Sequence, residues 1–199
     1  TIHDATGQLV RELEPELARG INRVVWDLRH APLPAPAVRL PEPDPVRADQ
    51  QRREGGPSRG PAGPLVVPGT YVVRLEVDGA VHERSFEVHE DPRILASETA
   101  RRSWTLAQLE LGELWSEINA LVGEIHARED AIADAGNDPS PELTVLGEQT
   151  ESLRTRVASL RGEIQGWVGP MTADQRARER FVRDAPLQLR DRWRALAVR

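Results

Sequence analysis

The chain contains no cysteine and no lysine. Without cysteine there is no disulfide framework and no thiolate metal site, though the compartment stays open. Without lysine, all 26 basic side chains are arginine, which we read as coding composition rather than selection for guanidinium chemistry. No run of about 18 apolar residues occurs, so there is no candidate membrane-spanning helix. The N-terminus lacks the look of a signal peptide. The sequence opens on Thr1 rather than Met, and Thr1-Ile2-His3 already has strand character, which predicts a fragment cut from a larger protein. An excess of positive charge is missing too. Residues 1–93 carry 12 Arg against 15 acids, residues 94–199 carry 14 against 17, and the net charge is −6. Neither half is the basic body that a nucleic-acid binder needs.

At 199 residues the chain can hold one domain or two small ones. Its clearest structural sentence is residues 68–88. Tyr71, Val73, Leu75 and Val77 alternate with Thr70, Val72, Arg74 and Glu76, the period of a strand with one buried face. Asp78-Gly79 suits a tight two-residue turn, whose central residues need positive φ. Phe86 and Val88 share one face of the returning strand. A lone hairpin is marginal in water and needs an apolar cover. Two further strand patterns precede it. Residues 2–11 read as strand, turn and strand around Gly7. Residues 20–28 read as another strand, with Asn22, Val24, Trp26 and Leu28 on one face. Trp26 is expected to pack between sheets, against Tyr71 or Phe86.

Between these lies a stretch without periodicity. Residues 31–68 contain ten prolines, which excludes helix and central strand. The plain reading is a long surface loop inserted between two strands. The sharper one is a polyproline II recognition segment with residues 41–45 as its stiffest part. Gly56-Pro57-Ser58-Arg59-Gly60 spells G-x-S-x-G, but a nucleophile elbow needs a strand before its serine and a helix after it, and neither pattern is there. Leu65-Val66-Val67 suggests a short strand.

The second half is helical. Ser97 is a suitable N-cap. Trp104, Leu111, Ile118, Ile125 and Ile132 recur every seven residues, with Ala107, Leu114 and Leu121 between them, a heptad seam. Residues 137–141 break this helix. A second runs through Leu143, Leu146, Thr150, Leu153, Val157, Leu160, Ile164 and Trp167, stopped by Gly169-Pro170. Thr172 and Gln175 form a capping box for a third. Its expected buried residues are Phe181, Leu189, Trp193 and Leu196, and Pro186 is expected to split it into 173–183 and 185–197. Short connections make the helices antiparallel neighbours, and the first, about 55 Å long, should project from the sheet. Residues 97–134 carry eight acids and three Arg, and residues 172–199 eight Arg and four acids. That predicts complementary faces rather than an arginine patch for a polyanion.

Chemistry-bearing residues do not gather. His3, His30, His82, His89 and His126 include no i, i+4 helical pair. Asp4, Asp27 and Asp78 could serve calcium at loop ends, but turn and strand-end roles explain each more simply. We assign no catalytic, cofactor-binding or metal residue and no cofactor.

The residues Ile2-x-Asp4-x-x-Gly7-x-x-Val10-Arg11, then 20–27 (GINRVVWD), then Pro68-Gly69-Thr70-Tyr71-x-Val73, resemble the immunoglobulin-like domain of the flagellar hook-capping protein. A closer resemblance is to the C-terminal portion of large bacterial BNR-repeat, sortilin-like β-propeller proteins, similar through Trp26-Asp27-Leu28-Arg29 and Asp91-Pro92-Arg93 into a helical tail. The sequence departs from that pattern in its swollen proline-rich loop, and the tail matches by type alone. The resemblance implies an α+β, multi-domain chain: an Ig-like antiparallel β-sandwich over 1–93 with a proline-rich insertion at 31–68, then an antiparallel three-helix bundle or long helical hairpin over 94–199. It implies a non-catalytic accessory module, an upstream propeller in the same chain and an extracytoplasmic location; the helical seams, which can close within one chain or between two, allow a protein partner or homo-oligomer through the helices. Nucleic acid and a membrane span are not expected partners. The alternatives are a glycan- or peptide-binding module, or the non-catalytic part of a glycosyl hydrolase-like enzyme.

Overall fold

The structure, a computed structural model, describes residues 1–14, 18–37 and 61–197. The fold is α+β. A small antiparallel sheet is followed by three helices. The strands are β1 (Ile2–Asp4), β2 (Leu9–Arg11), β3 (Gly69–Val77) and β4 (Ala80–Val88), in the order β2-β1-β3-β4. β3 and β4 are the expected hairpin, in register from Gly69↔Val88 to Val77↔Ala80. Its turn holds Asp78 at φ 50° and Gly79 at φ 79°, the left-handed geometry that Asp-Gly tolerates. β1 and β2 close around Gly7 at φ 85°.

Residues 20–28 are not a strand among the described residues; only Arg29 bridges, to Leu65. Trp26 nevertheless packs where expected, edge-on to Tyr71 at 5.5 Å and to Phe86 at 6.0 Å. Beneath it lie Ile2, Val10, Val66 and Tyr71, a core of four buried residues. Among the described residues, the sheet's apolar face is covered only at this end. Leu75 is 53% exposed, and Val73 and Val77 on the same face are also open.

The helices are α1 (Glu98–Asp134), α2 (Pro141–Gln165) and α3 (Ala173–Ala197). Ser97 and Ser140 cap the first two, each accepting from the backbone N–H three residues on. Thr172 and Gln175 exchange the two bonds of a capping box ahead of α3. Trp104, early in α1, donates its indole N–H to Ile164 O, late in α2, at 2.6 Å, so the two run in opposite directions. Arg178 reaches Glu163 and Arg192 reaches Gln149, so α3 reverses α2 in turn. Trp104, Leu111, Ile118 and Ile125 are buried, as are Leu143, Leu146, Thr150, Leu153, Val157, Leu160 and Ile164. These stripes share one core with Val182 and Leu189.

Three expectations are corrected. Trp167 is 78% exposed, because α2 ends at Gln165 and the indole lies beyond its last turn. α3 is continuous through Pro186: the ring keeps a helical φ while losing one donor, and it is buried. Phe181 is 58% exposed. The buried series on α3 is Val182, Pro186, Leu189, with Trp193 and Leu196 partly covered. That places Phe181 one residue off the seam.

The proline-rich stretch is also more attached than a surface loop. Its described legs, residues 28–37 and 61–66, run antiparallel: His30 N–H donates to Pro64 O, Leu33 N–H to Pro61 O, and Val66 N–H to Leu28 O. Together they lie along α1 and α2, so α1 is sheathed on one side rather than simply projecting. Residues 41–45 and Ser58 lie outside the described residues.

Candidate functional site

The seam between this limb and the helices is where the chain concentrates buried polar groups. Proline has no N–H, so a proline-rich segment presents more carbonyls than donors. Buried carbonyls need partners, and here side chains supply them. Arg154 Nη1 donates to Ala37 O at 2.7 Å, Arg29 Nη1 to Gly63 O at 3.0 Å and Arg11 Nη1 to His30 O at 3.1 Å. Arg161 Nη2 donates to Ala62 O at a longer 3.4 Å. Thr105 Oγ1 reaches Leu65 O, also at 3.4 Å. Asn119 satisfies both kinds of group: its Nδ2 donates to Ala35 O at 2.8 Å and its Oδ1 accepts the Ala37 N–H at 2.7 Å. A guanidinium carries five donors in a fixed fork, which suits a carbonyl-rich strip.

Shape allows this approach. Thr105, Gly112, Ser116, Asn119 and Gly123 lie along one side of α1. A Cβ on Gly112 would stand 3.1 Å from Leu33 Cδ2, and one on Gly123 would stand 3.6 Å from the Ala37 Cβ. Glycine inside a helix costs about 1 kcal/mol relative to alanine; here two glycines clear the path of the limb. Ser116 turns its hydroxyl back to Gly112 O and leaves the surface smooth. The sequence reading missed this stripe because it sought a single apolar seam per helix. The signal was present in the small and amide residues at helical spacing.

Two buried guanidinium groups flank the seam. Burial pulls the Arg161 group below its ordinary pKa. Arg101 sits with Nε 3.1 Å from Glu90 Oε2 and its guanidinium 4.7 Å over the Trp104 ring. Farther along, His126 Nε2 is 3.2 Å from Glu151 Oε1. Every hydrogen bond and ion pair described here joins a donor to a carbonyl or a carboxylate. The arrangement can hold a peptide backbone, and it presents no nucleophile aligned with a base.

The sequence candidates are dispersed. His3 bonds to Thr1 Oγ1 and Gly7 O. His30 is partly buried at the root of the limb, and desolvation lowers its pKa against the opposing pull of Asp4. His82 lies on the exposed half of β4, and His89 Nε2 is 3.6 Å from Glu87 Oε2 at the surface. Asp4 Oδ1 accepts from Thr6 N, Thr6 Oγ1 and Gln8 N, Asp27 accepts from Arg29 N, and Asp78 forms the hairpin turn. Among the described residues no three His, Asp or Glu side chains gather to hold a metal ion. Tyr71 and Trp26, the aromatics that a sugar-stacking platform on the sheet would use, are committed inward: Tyr71 Oη donates to Val67 O at 2.6 Å and Trp26 Nε1 to Arg29 O at 2.9 Å. No helix among the described residues is long and apolar enough to cross a membrane.

Comparison of the chain with family models, with curated proteins and with solved structures finds no match in any of the three.

Proposed function

We propose that this chain is a non-catalytic accessory module of a larger protein, built to support architecture or assembly. In this reading residues 1–93 form an immunoglobulin-like domain completed by surfaces outside the described residues. Residues 94–199 form an antiparallel three-helix bundle. An upstream β-propeller in the same polypeptide and an extracytoplasmic location belong to the same proposal, through the family resemblance. The observation that carries it is the unfinished sheet. Leu75 and Val77, two residues apart on β3 and so on one face, are both exposed, at 53% and 47%, and large exposed apolar patches mark interaction surfaces.

Hydrogen–deuterium exchange tests this directly. Amides of residues 73–81 should exchange quickly in the 199-residue chain and markedly more slowly in the longer polypeptide. Equal exchange in the two would overturn the proposal, as would turnover of a glycoside or peptide by the chain alone.

A further inference from the structure

Three grooves run between the three helices, and they are treated differently. The α1–α2 groove is filled by the limb, through Ala35, Ala37 and Ala62. The α1–α3 groove is lined by Glu110, Glu113, Glu117 and Glu179 with a single arginine, Arg183. It is bridged by Arg183 to Glu110 at 2.8 Å and Arg190 to Glu117 at 3.5 Å. Among the described residues, the α2–α3 groove is uncovered. Two adjoining chambers of about 300 and 440 Å³ share Arg156 and Phe181. Their floor is Leu153, Leu160, Val182, Ala185 and Leu189; their rim carries Arg156, Arg178 and Arg192, and among the described residues no carboxylate lines either chamber.

We infer that this groove docks an acidic amphipathic helix of a partner protein. The inference rests on the interaction-module reading and names a surface for it. Charge selects the partner's polar flank. Arg178 is engaged by Glu163 and Asp174. Arg156 instead stacks on the Phe181 ring at 5.6 Å, and Arg192 bonds only the neutral Gln149. Neither of these two has a carboxylate partner among the described residues. Apolar area selects the partner's other flank, since Phe181 is more than half exposed over an aliphatic floor. Backbone chemistry selects a helix. An extended peptide needs donors and acceptors in alternation along its length, as the limb finds at Asn119; this groove is dominated by its apolar floor and three guanidinium groups, with Gln149, Ser152, Ser159 and Gln188 scattered along its edges. A helix satisfies its own backbone and presents only side chains. From Arg178 to Arg192 the groove follows about 21 Å of α3, room for about four turns of guest helix.

The test is a fluorescence-anisotropy titration of the 199-residue chain. The probe is a synthetic 14-residue stapled helix with leucines at i, i+4, i+7 and i+11 and glutamates on its flanks. Saturable binding below about 100 μM is expected, weakened about tenfold or more by Phe181→Ala and by Arg156→Glu. Leu187→Ala, on an exposed part of the same helix, should leave it unchanged. Both test residues are exposed, so the variants should fold, and far-ultraviolet circular dichroism checks that. Four results would each overturn the inference: no saturation by about 1 mM, equal binding of the probe with lysine for glutamate, insensitivity to Phe181→Ala, or competition by a single-stranded oligonucleotide through the same residues. Concentration-dependent dimers lost in Phe181→Ala would assign the groove to a second copy instead, and so overturn it too. Failure here leaves the sheet-exchange test untouched, whereas turnover of a substrate would sink the module reading even if the probe still bound this groove.

Discussion

Ile125 and Leu75 are both aliphatic residues inside regular elements, placed there by clean sequence periods. Ile125 is fully buried; Leu75 is half in solvent. The difference lies in what stands opposite them. α1 is enclosed by α2, by α3 and by the limb, so its apolar stripe has cover from within the chain. β3 has Trp26, Val66 and Ile2 against its inner end, and beyond Val73 the described residues place nothing over its apolar face. A period therefore specifies which side of an element is apolar, and neighbours decide whether that side is buried. The helical part has its own closed core. The sheet has half of one, and that asymmetry is the physical basis of the accessory reading.

Core truncation gives the widest separation between the two parts. Ile125→Ala should cost about 2–5 kcal/mol, through lost burial and a residual cavity. Leu75→Ala should stay within about 0.5 kcal/mol, as exposed substitutions do. Urea unfolding of both variants measures this. Equal losses would mean that the outer face of the hairpin is covered after all.

The limb comes next. Asn119→Ala removes the donor for Ala35 O and the acceptor for the Ala37 N–H, and should cost about 1–3 kcal/mol. Amide exchange at Ala37 should accelerate while exchange in the Leu146–Leu160 core hardly changes. If the whole helical core loosens together, the limb is an integral part of that core rather than a sheath on it.

Tyr71→Phe sharpens the sheet side. It removes the hydroxyl bond to Val67 O and keeps the ring contacts with Trp26 and Phe86. A loss of about 0.5–1.5 kcal/mol is expected, read as a lower urea midpoint with the slope unchanged.

The sequence made the helices legible because heptad spacing, serine caps and the Thr172–Gln175 box all report local physics. The hairpin was legible for the same reason, through alternation and Asp78-Gly79. What stayed hidden depends on contacts distant in sequence. The period of residues 20–28 matched a strand, yet a strand exists only where a partner accepts its hydrogen bonds. Trp115 and Val122 were missed as buried residues because they lie off the seam facing α2. Phe181 was expected inside, although Val182, one position on, has the seam spacing. Arg154 and Asn119 carry no local signal of their role, because the limb that supplies carbonyls for them lies more than 80 residues away in the chain. The prolines marked residues 31–68 as irregular but could not say against what the segment would lie.

The smallest effect expected is electrostatic and confined to the sheet. The Thr6 hydroxyl, foremost, holds the Asp4 carboxyl below its ordinary range against the opposing desolvation, helped to a lesser degree by the backbone N–H groups of Gln8, Thr6 and Gly7. A carboxyl depressed in the folded state stabilises fully above its unfolded value of about 3.9, and that contribution disappears as pH falls through the lower folded value. Acidification should therefore loosen the β1–β2 turn, and Asp4→Asn should remove this component of the pH dependence. The measurement is amide exchange at Thr6 and Gln8 against pH, corrected for intrinsic rates and taken as the difference between the two proteins so that other carboxylates cancel. Amides in α1 and α2 should show no such difference. A matching change there would mean that the turn and the helical core unfold as one unit, and the contrast between a closed half and an open half would fail at its root.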